Sequence, residues 1–388
     1  MNQRDARSRC RVVHLTTVHQ PFDPRIFHKQ LASLRDAGFD AHLVAPHERT
    51  ECVRGIPVHA LPRPRTRAHR LALQPRAFRT AQALDAALYH VHDPELLPLA
   101  TLLKQATGAR VVYDMHENYR SKGALLGRAL RALERWAFQR VDHVLLAEEG
   151  YRPIVEDHAV PRTYIGNYVR PIGEAGPVDR PEISKTPTRL LCTGTLSDGR
   201  GLGTMVDLAA RIRRAGRPET IGLVGICRHP AQRARTEEQI RGEGLDGIVE
   251  CVGWDTYVRP SSMPPYYRRA DVGLALFEPH PNHADSIPTK FYEYLYYGLP
   301  LICSDLPRWR RFVERHECGV VVPPRTPEAV LDVLDHWQAR PDRYRTHVNN
   351  AREAASQYRW DVMGERLVHR YRTLLDANAP PFPGPDSR

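Results

Sequence analysis

The chain of 388 residues carries a formal net charge of +11, and 41% of its side chains are apolar. This length suits two domains of ordinary size, and the apolar content is enough to build their cores, which excludes an intrinsically disordered chain. No run approaches the roughly 18 consecutive apolar residues of a membrane-spanning helix. The seven cysteines include no CxxC pair, which indicates reduced thiols in a cytoplasmic protein rather than a disulfide or zinc framework.

The first half of the chain alternates between apolar strand patterns and amphipathic helix patterns. Its opening arginines precede a short apolar run that His14 interrupts. We interpret this run as a first core strand and not as a signal peptide, because no small-residue cleavage pattern follows it. Helices are predicted between most of the strands, as at 25–38 and 94–107. Strands are predicted at 11–17, 40–46, 88–93, 109–116 and 142–148.

An arginine-rich segment lies at 61–80, with six arginines and no acidic residue. Residues 1–170 together hold 26 basic and 17 acidic side chains. Such a run is either a solvated surface or a site of adhesion to an anionic partner such as a membrane, a phosphorylated lipid or a nucleic acid. The pattern alone does not choose between these interpretations.

A stretch rich in proline and glycine at 171–188 predicts a linker. After it the alternation restarts, with apolar strands at 189–196, 220–226, 248–254, 271–277, 300–305 and 319–324. Repeated βαβ units predict parallel sheets covered by helices, so we expect two Rossmann-like domains, residues 1–172 and 187–359. Helices are predicted at 342–357 and 360–375, and the tail 377–388 is predicted to be disordered.

Polar residues gather where the predicted strands end, which is where open parallel sheets bind ligands. Two such domains facing each other would form a cleft between these ends. In the first half the residues are His19, Asp23, His90, His92, Asp93, Asp114, His116, Glu117 and Asn118. In the second half they are Gly194, Thr195, the run 198–200, Gly225, Trp254 and the run 278–290.

The segment "SIPTKFYEYLYYGLPLICSD" combines a charged pair with an aromatic helix pattern. Lys290 and Glu293 are three residues apart and therefore share one helix face near the N-terminus. The free N–H groups and positive dipole end of such a helix suit phosphate, with Ser286 or Thr289 as its N-cap. Lys290 adds a cation for the same phosphates, and Glu293 can accept hydrogen bonds from two ribose hydroxyls. The pair predicts a nucleoside diphosphate site, and the alternative is a surface ion pair.

The chain resembles the retaining glycosyltransferases of family 4. Members of this family have the α/β GT-B fold, with two Rossmann-like domains and a cleft between them. "PTKFYEYLYYGLPLI" is similar to the family's KxxEYxxxGxPVI block. The family signature places two glutamates with seven residues between them, and here the first is the shorter Asp285, eight positions before Glu293. "HQPFDPRIFHKQLASLRDAGFDAHLVAP" and "HVHDPELLPLATLLKQATGARVVYDMHENY" resemble first-domain blocks. "TGTLSDGRGL", "VECVGW" and "YYRRADVGLAL" resemble donor-domain blocks, and "YRWDVMGERLVHRYRTLL" resembles the closing helix. The resemblance implies that this helix, 360–376, packs back on the first domain.

The resemblance implies roles for the residues that match its motifs. Arg200 stands where the family usually has a phosphate-binding lysine, and His116 matches a histidine near the reacting sugar. Catalysis is assigned to His116, Arg200 and Lys290. The implied donor-binding residues are Gly194, Thr195, Arg200, Gly225, Trp254, Asp285, Ser286, Lys290 and Glu293. The implied acceptor-binding residues are His19, Asp23, Arg25, His92, Asp93, Glu117 and Asn118.

Two departures from the family pattern affect this transfer of roles. Thr195 stands where an arginine often contacts the diphosphate, so that contact is missing or supplied elsewhere. The sequence "HQPFDPR" replaces a glycine-rich first loop, which predicts an acceptor geometry particular to this subgroup.

The resemblance implies transfer of a sugar from a nucleoside-diphosphate sugar, most commonly a UDP-sugar, to an acceptor hydroxyl with retention of configuration. The expected setting is bacterial polysaccharide, glycolipid or glycosylated-metabolite biosynthesis. Arg200, Lys290 and the helix N-terminus would stabilise the leaving diphosphate, and a carbonyl or His116 would support the sugar carbon. No metal or other cofactor is expected. The expected acceptor is a sugar, a lipid-linked molecule or a small molecule, and nucleic acid is not expected as a partner. The basic first domain predicts a cytoplasmic protein in peripheral contact with the anionic inner face of a membrane.

Four alternatives stay open from the sequence. A sugar-nucleotide 2-epimerase would use the same fold. His90 and His92 share a strand face near Asp93, His116 and Glu117, which suits a metallohydrolase. "GRGLG" suggests a nicotinamide site, but it lacks the third glycine and the ribose-binding acid of that motif. A nucleic-acid-binding module would leave the nucleotide site unexplained.

Overall fold

The computed structural model describes residues 11–116, 124–170, 183, 188–284 and 286–376. The chain divides into two compact units, Met1–Asn167 with Trp360–Arg388, and Tyr168–Arg359. Most of the predicted linker and all of the tail predicted to be disordered lie outside the described residues.

The first unit is built on an eight-stranded sheet. Its strands are β1 (Arg11–Leu15), β2 (Asp40–Pro46), β3 (Glu51–Val53), β4 (Ile56–Leu61), β5 (Leu88–Val91), β6 (Arg110–Met115), β7 (His143–Leu146) and β8 (Arg162–Tyr164). They lie in the order β3-β4-β2-β1-β5-β6-β7-β8. Neighbours are parallel except β3 and β4, which form an antiparallel hairpin at one edge.

The sequence patterns do not predict β3, β4 and β8. Strands β3 and β8 have three residues each, with at most one of them buried, so neither carries an apolar run. Strand β4 is the second strand of the hairpin, and buried and half-buried residues mix along its six positions. Because a run or alternation of buried apolar residues identifies a strand in a sequence, these three strands give little signal.

Helices cover the sheet of the first unit. They are α1 (Pro24–Leu31), α2 (Ala32–Asp36), α3 (Arg67–Ala72), α4 (Gln74–Ala83), α5 (Leu97–Thr107), α6 (Ala124–Phe138), α7 (Arg152–Val155) and α16 (Trp360–Leu375). The predicted helix at 25–38 is divided into a wide, π-type first part and a short α-helix. Asp23 caps α1 by accepting from the backbone N–H groups of Arg25 and Ile26.

The last helix, α16, packs against the first helices of the same unit. The indole nitrogen of Trp360 donates to the hydroxyl of Ser33 over 2.8 Å. A Cβ on Gly364 would lie 2.9 Å from that same hydroxyl. The absence of a side chain at Gly364 therefore lets the two helices approach closely.

The second unit is built on a six-stranded parallel sheet. Its strands are β9 (Arg189–Thr195), β10 (Thr220–Ile226), β11 (Val249–Trp254), β12 (Val272–Ala275), β13 (Leu301–Ser304) and β14 (Gly319–Val322). They lie in the order β11-β10-β9-β12-β13-β14. All of its neighbouring strands are parallel. This is the alternation that the sequence predicts, and the strand boundaries differ by few residues.

Helices also cover this second sheet. They are α8 (Leu202–Arg214), α9 (Pro230–Gly242), α10 (Pro264–Arg269), α11 (Pro281–Ala284), α12 (Thr289–Tyr296), α13 (Pro307–His316), α14 (Pro327–Ala339) and α15 (Pro341–Ala355). Tyr294 of α12 lies against β12, where a Cβ on Gly273 would be 2.3 Å from its ring. Its hydroxyl donates to the carbonyl oxygen of Leu191 over 3.0 Å. These contacts fix α12 on the sheet and so position Lys290 and Glu293.

Within the described ranges, no helix is long and apolar enough to cross a membrane. The six cysteines in those ranges are free thiols, and four of them are buried.

Candidate active site

Glycines bring backbone segments together where the strands of the second sheet end. Gly225 of β10 lies in register with Gly194 of β9, and a Cβ on Gly225 would be 1.7 Å from the carbonyl oxygen of Gly194. Gly201 precedes α8 with a φ of 80°, and a Cβ there would be 2.0 Å from the carbonyl oxygen of Leu276. Only glycine fits these two close approaches, which lie where the sequence predicts donor binding.

Helix α12 begins without a side-chain cap. The prediction that Ser286 or Thr289 caps it is wrong: Pro288 occupies the N-cap position, and no side chain accepts from the first turn. The carbonyl oxygen of Ser286 instead accepts a hydrogen bond from the indole of Trp309 over 2.8 Å. Because Pro288 has no side-chain acceptor, the first N–H groups of the helix remain suited to an anion.

Lys290 is a buried cation at the start of this helix. Its side chain is 4% exposed, and its Nζ lies 3.5 Å from the thiol of Cys192 and 4.8 Å from the ring centre of Phe277. No carboxylate of the described residues forms an ion pair with it, although the charge of Glu293 acts on it from a greater distance. Burial lowers the pKa of the Lys290 ammonium, and the positive charge of Arg200 acts in the same direction.

Arg200 lies near the same aromatic ring. Its guanidinium carbon is 5.5 Å from the ring centre of Phe277, and burial, together with the charge of Arg228, lowers its pKa. Two cations therefore converge on one aromatic side chain at the ends of β9 and β12. A cation-rich, partly dry site of this kind favours a polyanionic ligand.

Glu293 does not pair with Lys290, so the interpretation of these residues as a surface ion pair is not supported. Its Oε2 accepts a hydrogen bond of 2.7 Å from the hydroxyl of Tyr267. Burial and the charge of Glu293 raise the pKa of Tyr267 well above its usual range. Tyr267 is a site residue that the sequence patterns do not single out, because its partner is 26 positions away.

The other predicted donor residues are distributed more widely. Thr195 and Gly194 end β9 and are partly or fully exposed. Trp254 has a φ of 41° and packs into the core, where its indole donates to Glu237 over 2.5 Å. Because its side chain points into the core, Trp254 is better suited to a structural role than to donor binding. Asp285 lies outside the described residues.

In the first unit, Asp114 is the centre of a buried polar network at the end of β6. It is completely buried. The Nη2 of Arg25 lies 2.7 Å from Oδ1, and the Nε of Arg25 and the amide of Gln30 lie 2.9 and 2.8 Å from Oδ2. Burial opposes ionisation of Asp114, but Arg25 and the adjacent histidines outweigh it and hold the pKa well below the usual range.

His116 contacts this network from the carboxyl end of β6. Its Nδ1 lies 3.5 Å from Oδ2 of Asp114, and its Nε2 lies 2.9 Å from Nε2 of His19. Burial opposes protonation of His116, but the nearby Asp114 carboxylate outweighs it and raises the pKa. A raised pKa suits hydrogen-bond donation better than support of a positive sugar carbon.

The predicted acceptor residues divide into two groups by burial. Arg25, His92 and Asp93 are buried, and Asp93 accepts hydrogen bonds from the side chain of Thr16 and the backbone of Thr17. Their position favours support of neighbouring side chains over direct contact with an acceptor.

His19 and Asp23 are the more exposed members of the predicted acceptor set, with side-chain exposures of 23% and 26%. Both follow β1, and Asp23 also caps α1. Glu117 and Asn118 lie outside the described residues.

Two groups of side chains in the described part of the first unit have the composition of a metal site. They are His14, His90 and His92, and His92, Asp114 and His116. In the second group, Arg25 and Gln30 already donate to the carboxylate. A divalent cation there would lie beside a guanidinium, which disfavours the metallohydrolase interpretation.

Comparison with known families agrees with this architecture. The Glycosyl transferase 4-like domain matches residues 24–167, and the Glycosyl transferases group 1 domain matches residues 187–337. Each match coincides with one of the two units.

Solved structures with similar folds cover nearly the whole chain. Sucrose-phosphate synthase from Thermosynechococcus elongatus is 17% identical with a TM-score of 0.74, and covers 95% of this chain and 100% of its own. HepE from Anabaena, in complex with UDP and glucose, is 14% identical with a TM-score of 0.70, and covers 94% and 100%. The fold is therefore that of the GT-B glycosyltransferases.

A curated relative provides a sequence match. Phosphatidyl-myo-inositol mannosyltransferase of Mycobacterium leprae is 28% identical over 144 residues, which are 37% of this chain and 37% of that protein. The match thus spans little more than a third of the relative's length. Together with the two domain matches, it shows that the chain belongs to glycosyltransferase family 4.

Proposed function

We propose that the protein is a retaining glycosyltransferase that moves a sugar from a nucleoside-diphosphate sugar to an acceptor hydroxyl. The observation that carries this proposal is Lys290, a cation that is 4% exposed and has no carboxylate partner among the described side chains. An uncompensated buried charge is costly. Arg200 and the uncapped start of α12 add to the same positive site, so a diphosphate is the ligand that best balances it.

Glu293 supports a nucleoside as the remainder of this ligand. Tyr267 holds one of its oxygens, and the other can accept from a ribose hydroxyl. UDP is the favoured nucleotide, because the similar structures include HepE bound to UDP and glucose and an Escherichia coli protein bound to UDP-2-fluoro glucose.

In the proposed reaction, the sugar–phosphate bond breaks as the acceptor oxygen attacks the same face of the sugar. The leaving diphosphate takes the proton of the acceptor hydroxyl. Lys290 and Arg200 stabilise the negative charge that develops on the diphosphate. His116 belongs to the acceptor side of the proposed reaction, and no divalent metal takes part.

A thermal-shift panel of UDP-, GDP- and dTDP-sugars tests the donor site. We expect the UDP-sugar to raise the melting temperature most, and Lys290→Ala or Glu293→Ala to remove that shift. Each variant removes a charged contact, so transfer should fall about 10- to 100-fold while the fold is retained. Activity near the wild-type level in both variants would reject this site.

His116→Ala tests the other part of the proposal. Turnover should fall more than nucleotide affinity, because His116 belongs to the first unit and the donor residues to the second. The anomeric configuration of the product, read by NMR, tests retention. Transfer that survives exhaustive chelation would agree with metal independence. Conversion of a UDP-sugar in the absence of acceptor would instead indicate a 2-epimerase.

We propose that the acceptor is lipid-linked or is met at an anionic membrane surface. The support is the basic first unit: the side chains of Arg65, Arg67, Arg76 and Arg79 are exposed on or beside α3 and α4. Each arginine near such a surface contributes about 1 kcal/mol to binding. The mannosyltransferase relative is named for a phosphatidylinositol substrate.

A further inference from the structure

Buried histidines of the first sheet form a continuous line of contacts with the last helix. His14 of β1 pairs in register with His90 of β5, and His92 is two residues further along. Because side chains alternate along a strand, His90 and His92 lie on one face. Tyr371 of α16 reaches the same cluster, and all four residues are at most 1% exposed.

The contacts can be followed atom by atom. Nδ1 of His90 lies 2.5 Å from the hydroxyl of Tyr371, and that hydroxyl lies 3.0 Å from Nε2 of His14. Nδ1 of His14 then lies 3.0 Å from Nε2 of His92. Finally, Nδ1 of His92 lies 3.3 Å from Oδ2 of Asp114.

The hydrogen count fixes the direction of these bonds. Nδ1 of His92 does not reach hydrogen-bond geometry with Asp114, but it lies 3.3 Å from a carboxylate oxygen that can only accept. The negative charge therefore favours hydrogen on Nδ1 of His92. A neutral imidazole has one N–H, so Nε2 of His92 accepts from Nδ1 of His14. By the same rule, Nε2 of His14 accepts from Tyr371, whose oxygen accepts from Nδ1 of His90.

The opposite direction is less favourable at both ends. It would place a lone pair of His92 against the carboxylate of Asp114. It would also put hydrogen on Nε2 of His90, which is buried and has no hydrogen-bond partner among the described residues. A buried donor without an acceptor is rarer and less tolerable than an acceptor without a donor.

We propose that His90, Tyr371, His14 and His92 are positioning residues that act through Asp114 on His116. Arg25 and Gln30 hold the Asp114 carboxylate by hydrogen bonds. The directed chain adds the Nδ1 of His92 at 3.3 Å from Oδ2, and the same Oδ2 lies 3.5 Å from Nδ1 of His116. This contact turns Nε2 of His116 away from the core and towards His19. The inference rests on the proposed function for its effect on transfer, but not for the existence of the chain.

The surroundings agree with neutral rings along the chain. Burial, followed by the neighbouring histidines, lowers the pKa of His14 and of His90 well below the usual range. Burial also lowers the pKa of His92, although Asp114 opposes this. The charged groups that face His116 are Asp114 on its own strand, Arg25 of α1 and Asp93 after β5.

The first test needs no substrate. In full-length protein with ¹⁵N-labelled histidine, two-bond ¹H–¹⁵N correlation spectra near neutral pH report which ring nitrogen carries hydrogen. We expect His14, His90 and His92 to be neutral with hydrogen on Nδ1, and His→Gln variants assign the signals. Hydrogen on Nε2 of His14 or His92, or a stoichiometric metal found by elemental analysis, would overturn the proposal.

The second test compares His14→Phe with His143→Phe. His143 is an equally buried strand histidine of the same sheet, which bonds to Thr163 and not to the chain. We expect kcat to fall about tenfold in His14→Phe through misplacement of His116, with donor affinity unchanged. His143→Phe should retain kcat. Equal losses in the two variants, or a loss of donor affinity instead of kcat, would contradict a positioning role.

A second pair of variants tests the chain if His14→Phe does not fold. Tyr371→Phe should shift the ring-nitrogen signals of His90 and His14, while Tyr89→Phe should leave them in place, because the Tyr89 hydroxyl donates to the carbonyl of Ala81. Unchanged signals in Tyr371→Phe would reject the chain. If the tautomers are as expected but no sugar transfer is found, the proposed function fails while the chain stands.

Discussion

The two units bury positive charge in different ways. In the first, the guanidinium of Arg25 meets the Asp114 carboxylate with two hydrogen bonds, of 2.9 and 2.7 Å. In the second, the Lys290 ammonium is just as buried but contacts, among the described residues, a thiol and an aromatic ring and no carboxylate. The first arrangement is complete within the chain, whereas the proposed function supplies the counter-charge of the second from an anionic ligand.

This difference separates structural charge from functional charge. A buried pair with its hydrogen bonds satisfied orients the side chains around it, as Asp114 does for His116. A buried charge without a partner raises the free energy of the unliganded protein and is retained where a ligand repays that cost. The predictions below test this contrast, beginning with the largest expected effect.

The first prediction concerns the paired charge. Asp114→Asn should lower the free energy of unfolding by about 3–5 kcal/mol, because it leaves Arg25 buried without a counter-charge. Urea unfolding measures the loss. Glu250→Gln, which breaks the exposed Arg269–Glu250 pair, should change the midpoint little. An equally small effect of Asp114→Asn would show that the first unit does not depend on its buried pair.

The second prediction concerns a buried acid with no basic partner in hydrogen-bond contact. Burial raises the pKa of Glu134 from 4.5 to about 7, although the hydroxyl of Tyr113 donates to it. The folded state therefore loses stability as the pH rises from about 4.5 to 7, by about 3 kcal/mol in total. Glu134→Gln should be more stable than wild type at pH 8 by roughly this amount and similar to it below pH 4.5.

Thermal unfolding across this pH range checks the effect of Glu134. Glu156 is exposed, so the Glu156→Gln variant serves as a control and should follow the wild-type profile. A Glu134→Gln profile parallel to wild type would mean that the carboxyl group is already neutralised or solvated.

The third prediction concerns the unpaired charge. Lys290→Met should stabilise the unliganded protein by about 1–3 kcal/mol, because it removes a desolvated ammonium. The same variant should lose the stabilisation that a UDP-sugar gives to wild type. Calorimetry with and without UDP-sugar measures both. The control Lys104→Met breaks an ion pair with Asp142 and should not stabilise the protein. Destabilisation by Lys290→Met would contradict the contrast between the two units.

The fourth prediction concerns the support of Glu293. Tyr267→Phe should weaken donor affinity by about five- to tenfold, the value of one typical hydrogen bond of about 1 kcal/mol, with kcat nearly unchanged. Titration calorimetry with UDP separates affinity from turnover. Tyr297→Phe is the matched control, since its ring stacks on Tyr267. Equal affinities in the two variants would show that Tyr267 does not position Glu293.

The smallest effect per residue is expected at the arginine-rich surface. Arg63 and Arg70 each lie near an acid, Glu48 and Glu95, so Arg65 and Arg67 are the better residues to replace. Arg65→Ser with Arg67→Ser should weaken co-sedimentation with anionic vesicles by up to about 1 kcal/mol per residue, and salt should weaken binding of the wild type. Protein that stays in the supernatant at low salt would reject membrane contact.

The sequence by itself determines the fold and part of the site. The alternation of apolar strands and amphipathic helices predicts two parallel-sheet units, and burial confirms the long central strands. Lys290 and Glu293 can be recognised because they are near each other in the chain and the helix period places them together. Local signals of this kind can be read from a single sequence because they depend on residues only a few positions apart.

Tertiary structure decides which of these charges is paired. Arg25 meets Asp114 across 89 positions of sequence, and His14 meets Tyr371 across 357, distances over which no periodic pattern carries information. The N-cap of α12 depends on the backbone conformation of Pro288, and the partner of Glu293 on the packing of α10. The sequence therefore names the charged residues. The folded chain alone determines that Asp114 is paired while Lys290 has no carboxylate partner among the described residues, because charge compensation is a property of distance in space.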